Sequence, residues 1–97
     1  MTVELWYFDG CPNWRIAQQR LHALGQGRGF EVELHRVESA EDAERVGFRG
    51  SPTILIDGSD PFGDASLSVG LSCRVYQTPD GPAGAPSLDQ LRDALDR

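Results

Sequence analysis

Residues 3–8, VELWYF, run directly into Asp9-Gly10 and then into Cys11-Pro12. Aromatic and β-favouring residues suit a buried strand, and the Asp-Gly pair breaks it. Pro12 fits a first helical position, where the missing N–H would have had no partner in any case. Trp14, Ala17, Leu21 and Leu24 then recur at helical spacing, with Gln18, Gln19 and Arg20 between them. Gly25 stands where a C-terminal cap belongs. A strand that feeds a helix through a Cys-Pro joint commits the chain to an α/β arrangement with a sulfur at the junction.

The remaining elements follow from the same signals. FEVELHRV, residues 30–37, sets apolar Phe30, Val32 and Leu34, with His35 or Val37, against charged positions, as a half-exposed strand near a sheet edge would. Ser39 followed by Asp42 predicts a capped helix that runs to about Val46 and stops at Gly47. TILI, residues 53–56, is a β-branched run between Pro52 and Asp57-Gly58 and reads as a third strand. Residues 59–70 read as a loop and LSCRVYQ, residues 71–77, as a fourth strand. TPDGPAGAP, residues 78–86, reads as another loop. Ser87 and Gln90 form a capping box, and Leu88, Leu91, Ala94 and Leu95 give the last helix its apolar face. The order β-α-β-α-β-β-α predicts strands that are parallel where a helix joins them and antiparallel where a loop does. The expected product is an α/β fold with a mixed four-stranded sheet flanked by helices.

Ninety-seven residues supply one core, so residues 1–97 are expected to form a single domain. No apolar run approaches the roughly 20 residues that a membrane span needs. The formal net charge of −6 disfavours nucleic acid and anionic membranes, because both attract clustered positive charge. The N-terminus does not read as a secretory signal, which makes the cytoplasm the expected location. Two cysteines are too few for a disulfide scaffold there. No cofactor and no resident metal is expected. His22 and His35 lack ligand spacing, GQGRG follows a helix where a phosphate cradle would open one, and ESAEDAE reads as a solvated helix face.

The element order, with Cys11-Pro12 at the joint, resembles the thioredoxin fold. GFRGSPTILIDG, residues 47–58, is similar to the thioredoxin segment in which Arg-Gly-x-Pro-Thr leads into an apolar strand, so that the resemblance covers residues 3–58. It implies a cis Ser51–Pro52 bond lying against a reactive Cys11, with Pro12, Trp14, Ser51, Pro52 and Thr53 forming a substrate groove. Trp14 stands where the dithiol members carry their second cysteine, and Leu5 where thioredoxins bury an acid. CPNW also resembles the Cys-Pro-aromatic start of glutaredoxin-like proteins, some of which are monothiol. The chain further resembles short bacterial thioredoxin-like proteins that are sometimes labelled alkylmercury lyases.

A thiolate is the attacking species, and a helix start stabilises it through free N–H groups and the positive end of the dipole. Cys11 is thus expected to be the faster cysteine and the nucleophile in disulfide exchange or thiol adduct chemistry. Its partner would be a protein or a low-molecular-weight thiol or disulfide. Cys73, the other candidate catalytic residue, shares strand parity with Leu71 and Val75 and is expected among apolar neighbours. Antiparallel pairing of residues 53–57 with residues 71–77 would hold the two sulfurs more than ~10 Å apart, at about 3.3 Å per residue. No resting disulfide is then expected, although the long loop 59–70 leaves a return of Cys73 to Cys11 open. Two rival readings stand beside this one: a redox-inert binding module, and soft-metal or organomercurial handling by Cys11 and Cys73.

Overall fold

The computed structural model describes residues 1–63 and 67–96. In chain order the elements are β1 (Val3–Tyr7), α1 (Trp14–Arg28), β2 (Val32–Arg36), α2 (Ala40–Val46), β3 (Arg49–Ser51), β4 (Thr53–Ile56), β5 (Gly70–Cys73), β6 (Tyr76–Thr78), β7 (Gly81–Ala83) and α3 (Leu88–Leu95).

The strands form three small sheets instead of one of four strands. The largest has the order β2-β1-β4, with β2 parallel and β4 antiparallel to β1, while β3-β5 and β6-β7 stand apart as pairs. This corrects the expected four-stranded sheet, and its cause lies in the chain after residue 58. The expected fourth strand splits at Arg74-Val75. Its first half, β5, runs parallel to β3, and its second half, β6, turns back into β7, inside the segment expected to be a loop. A parallel partner requires a long crossover, and residues 52–69 supply it. The loop expected at residues 59–70 is described at 59–63 and 67–69; residues 64–66 lie outside the described residues.

Alternation along β1 sorts the core. Val3 and Leu5, fully buried, face Ala17, Leu21 and Leu24 of α1 and Leu91 and Leu95 of α3, joined by Ile54 of β4 and by Phe30 and Ala85. Trp6 projects to the opposite face and packs, with Phe8, against Val37, Ala43 and Phe48 around α2. The expected caps form: Ser39 Oγ accepts from the Asp42 N–H at 3.1 Å, and Ser87 and Gln90 bond reciprocally. Helix α1 departs from expectation at both ends. It begins at Trp14, three residues after Cys11, and continues through Gly25 to a left-handed cap at Gly29. Gly25 is instead a close-approach residue, since a Cβ there would lie 2.7 Å from the Phe30 carbonyl oxygen.

Candidate functional site

Cys11 and Cys73 are joined in a disulfide, with Cα atoms 5.7 Å apart. That separation lies at the usual value for such a bond. It overturns both the expected separation of the sulfurs and the antiparallel pairing from which that separation followed. β4 is bonded to β1, and Cys73 is registered against Ser51, before Pro52, instead of opposite the far end of β4. Burial also runs against the expectation that Cys11 is the faster cysteine. Cys11 is fully buried, and Cys73 lies exposed at the end of β5.

Local interactions hold this arrangement. The Cys11 N–H closes a turn onto the Phe8 carbonyl at 3.2 Å, so the chain leaves β1 with Cys11 tucked inward ahead of α1. The expected helix-terminal position therefore passes from Cys11 to Asn13 and Trp14. Cys11 Sγ lies 3.7 Å from the Ser51 carbonyl oxygen, and the same oxygen accepts from the Arg74 N–H at 2.9 Å. The Ser51–Pro52 bond is cis, as the resemblance implied. Tyr76 donates its hydroxyl to the Pro52 carbonyl, and Thr53 Oγ1 donates to the Gly50 carbonyl at 2.6 Å. Gly50 has φ +109°, and a Cβ there would meet the Arg74 Cβ at 3.0 Å; glycine is what lets β3 approach β5 at this point.

Arg74, which no sequence signal marked, anchors the strand that carries Cys73. Its side chain is only 1% exposed and pairs with Asp60 at 2.7 Å. It also donates to the Phe62 carbonyl and lies 4.6 Å from the centre of the Tyr76 ring. Tyr76 is buried edge-on to Phe62, and this burial pushes its phenol well above the ordinary range. Fifteen acidic residues are available to Arg74 in the sequence, and only the path of residues 59–63 selects Asp60.

Compared with protein-family models and with curated proteins, the chain matches none.

The residues expected to form a substrate groove are divided. Pro12 is exposed, and Trp14 is half-buried, stacked on Tyr7 with ring centres 4.1 Å apart and with Arg15 beside it. Ser51 and Pro52 are fully buried and Thr53 is nearly so. The edge of Ser51 expected to receive an extended substrate is occupied by β5 of the same chain. The Ser51 hydroxyl is buried and has no hydrogen-bond partner among the described residues. Away from the cysteines, Glu4, Glu33 and His35 bring possible ligand atoms within 4.8 Å of one another on neighbouring strands. The 3.2 Å approach of His35 Nε2 to a Glu4 carboxylate oxygen and the stacking of His35 on Trp6 account for their proximity.

Removing Asp60 leaves a buried guanidinium without its counter-charge, a loss that costs about 3–5 kcal/mol in buried pairs. Asp60→Ala should therefore destabilise the oxidised protein by about 3 kcal/mol. Replacing both partners, as Asp60→Ala with Arg74→Met, should restore most of that loss. Denaturant unfolding of the three proteins checks this, and a loss below about 1 kcal/mol for Asp60→Ala would contradict the anchoring role.

Proposed function

We propose that this chain is a thiol-disulfide exchange protein whose working centre is the Cys11–Cys73 pair. The observation that carries this reading is the covalent juxtaposition of two cysteines 62 positions apart, one inside the protein and one at its surface. Where dithiol relatives of the thioredoxin-like group would place the second cysteine at position 14, this chain carries Trp14 and brings its second sulfur in on β5. The resemblance of residues 3–58 supports the reading through Cys11-Pro12 and the Arg49–Thr53 segment. The reaction needs no cofactor. In the oxidised state the pair accepts two electrons from two thiols of a protein or a small molecule, and the reduced state returns them to a disulfide.

Exchange on the folded protein tests the proposal. Oxidised protein is equilibrated in glutathione buffers of graded potential, quenched by alkylation and mapped by peptide mass. A reversible two-electron transition is expected, with a tenfold change in the ratio of reduced to oxidised protein for each ~30 mV. The reduced form should remain folded, less stable by up to about 4 kcal/mol on the chain-entropy account of a bond closing 62 residues. A disulfide reduced only under unfolding conditions would contradict the proposal.

The same juxtaposition favours a second reading for the reduced state. Two thiolates held this close suit a soft ion such as mercury(II). Titration should show one mercury(II) bound per reduced chain, held more tightly than by Cys11→Ser or Cys73→Ser. Equal affinity in all three proteins would contradict it.

A further inference from the structure

We propose that Cys73 is the sulfur attacked by an outside thiolate, and that its favoured partner is a cysteine in an extended peptide segment with apolar neighbours, laid along the outer edge of β5. The inference rests on the Cys11–Cys73 pair being exchangeable and adds which sulfur reacts and with what class of thiol.

Access decides the first half. In disulfide exchange the nucleophile must reach the sulfur it attacks, and the other sulfur departs. Cys11 is 0% exposed, enclosed by the turn after β1 and the Ser51 backbone, whereas Cys73 lies at the surface. An incoming thiolate therefore forms its bond to Cys73 Sγ. The Cys11–Cys73 bond breaks, and Cys11 leaves as a thiolate that takes a proton from water. The new thiol can donate to the Ser51 carbonyl oxygen, which its sulfur already approaches at 3.7 Å. A second thiol then attacks the partner's sulfur in the mixed disulfide, which carries the partner away as a disulfide and frees Cys73. Two thiols have been oxidised and one protein disulfide reduced.

The surroundings of Cys73 decide the second half. Val69, Leu71 and Val75 are 39%, 38% and 60% exposed, so three of the eight large apolar side chains left exposed among the described residues lie within four positions of Cys73. Leu71 and Cys73 share strand parity. On its inner edge β5 is bonded to β3, and the sheet contains no other strand among the described residues. Helix α2 lies against β5, yet Leu71, Ser72 and Cys73 all remain exposed, so the outer edge there can pair with an added strand, a recognised mode of peptide binding in which backbone bonds give affinity and alternate side chains give selectivity. A thiol with valine or leucine two residues from its cysteine, on the same face of the added strand, buries apolar area against this row. Glutathione, with its charged ends and no apolar side chain, does not.

Oxidised wild-type protein is mixed with glutathione or with a blocked pentapeptide, Val-Thr-Cys-Thr-Val, at equal thiolate concentration, then acid-quenched and mapped by peptide mass. The early mixed disulfide is expected on Cys73 with either thiol. The peptide should react about tenfold faster, the equivalent of one partly buried aliphatic side chain. Leu71→Asn with Val75→Asn should bring the two rates within about twofold. An early adduct on Cys11 would overturn the assignment of the attacked sulfur while leaving the exchangeable pair intact. Equal rates for the two thiols on wild-type protein would overturn the apolar peptide partner. No adduct with either thiol on the folded protein would bring down the exchange reading itself, and this inference with it.

Discussion

The pairing of Ser51 with the Cys73-Arg74 segment is the interaction on which the site depends. One carbonyl oxygen, that of Ser51, meets the buried sulfur of Cys11 and accepts the N–H of Arg74. Register then places Cys73 beside Ser51 and within bonding range of Cys11. The bonds around it act on consecutive residues. Gly50 admits Arg74 closely, Ser51 pairs with β5, Pro52 accepts from Tyr76, and Thr53 returns a bond to Gly50. The buried Arg74–Asp60 pair fixes the exit of β5, so Cys73 is held on both sides along the chain.

This architecture separates two properties that a reactive cysteine at a helix start would combine. Cys11 has the enclosure and Cys73 has the access. The protein contributes position: it brings together two sulfurs far apart in sequence, shields one, and leaves the other at a strand edge rimmed by aliphatic side chains. Helix α1, which begins three residues after Cys11, contributes through the packing of Ala17, Leu21 and Leu24 and not through its terminus at the sulfur. The Ser51 hydroxyl, buried and without a hydrogen-bond partner among the described residues, belongs to the residue whose carbonyl oxygen approaches Cys11.

Much of the first half of the chain was legible because its signals are local. The aromatic and β-favouring run of β1, the helical spacing of Trp14, Ala17, Leu21 and Leu24, and the cap at Ser39 each depend on residues a few positions apart. In the second half the capping box at Ser87 and Gln90 was legible in this way, but most of the rest was not, because it depends on which distant segments meet. Alternation in LSCRVYQ signalled extended backbone and said nothing about whether β5 would pair with residues before or after Pro52. Only that choice separates a distant Cys73 from a bonded one. Nor could alternation show that the run breaks at Arg74, whose burial requires Asp60 from the preceding loop. Gly81–Ala83 was hidden by its composition, since Gly and Pro are poor strand formers and the hairpin with β6 recruits them all the same.

The most direct test of the account is the covalent linkage itself. Air-oxidised protein is alkylated without reductant, cleaved between the cysteines and mapped by mass under non-reducing conditions, at several protein concentrations. The account predicts one intramolecular peptide pair joining Cys11 to Cys73, in the same yield at every concentration, with neither cysteine alkylated in the monomer. Alkylation of both cysteines in folded monomer, or a Cys73–Cys73 link that grows with concentration, would contradict it.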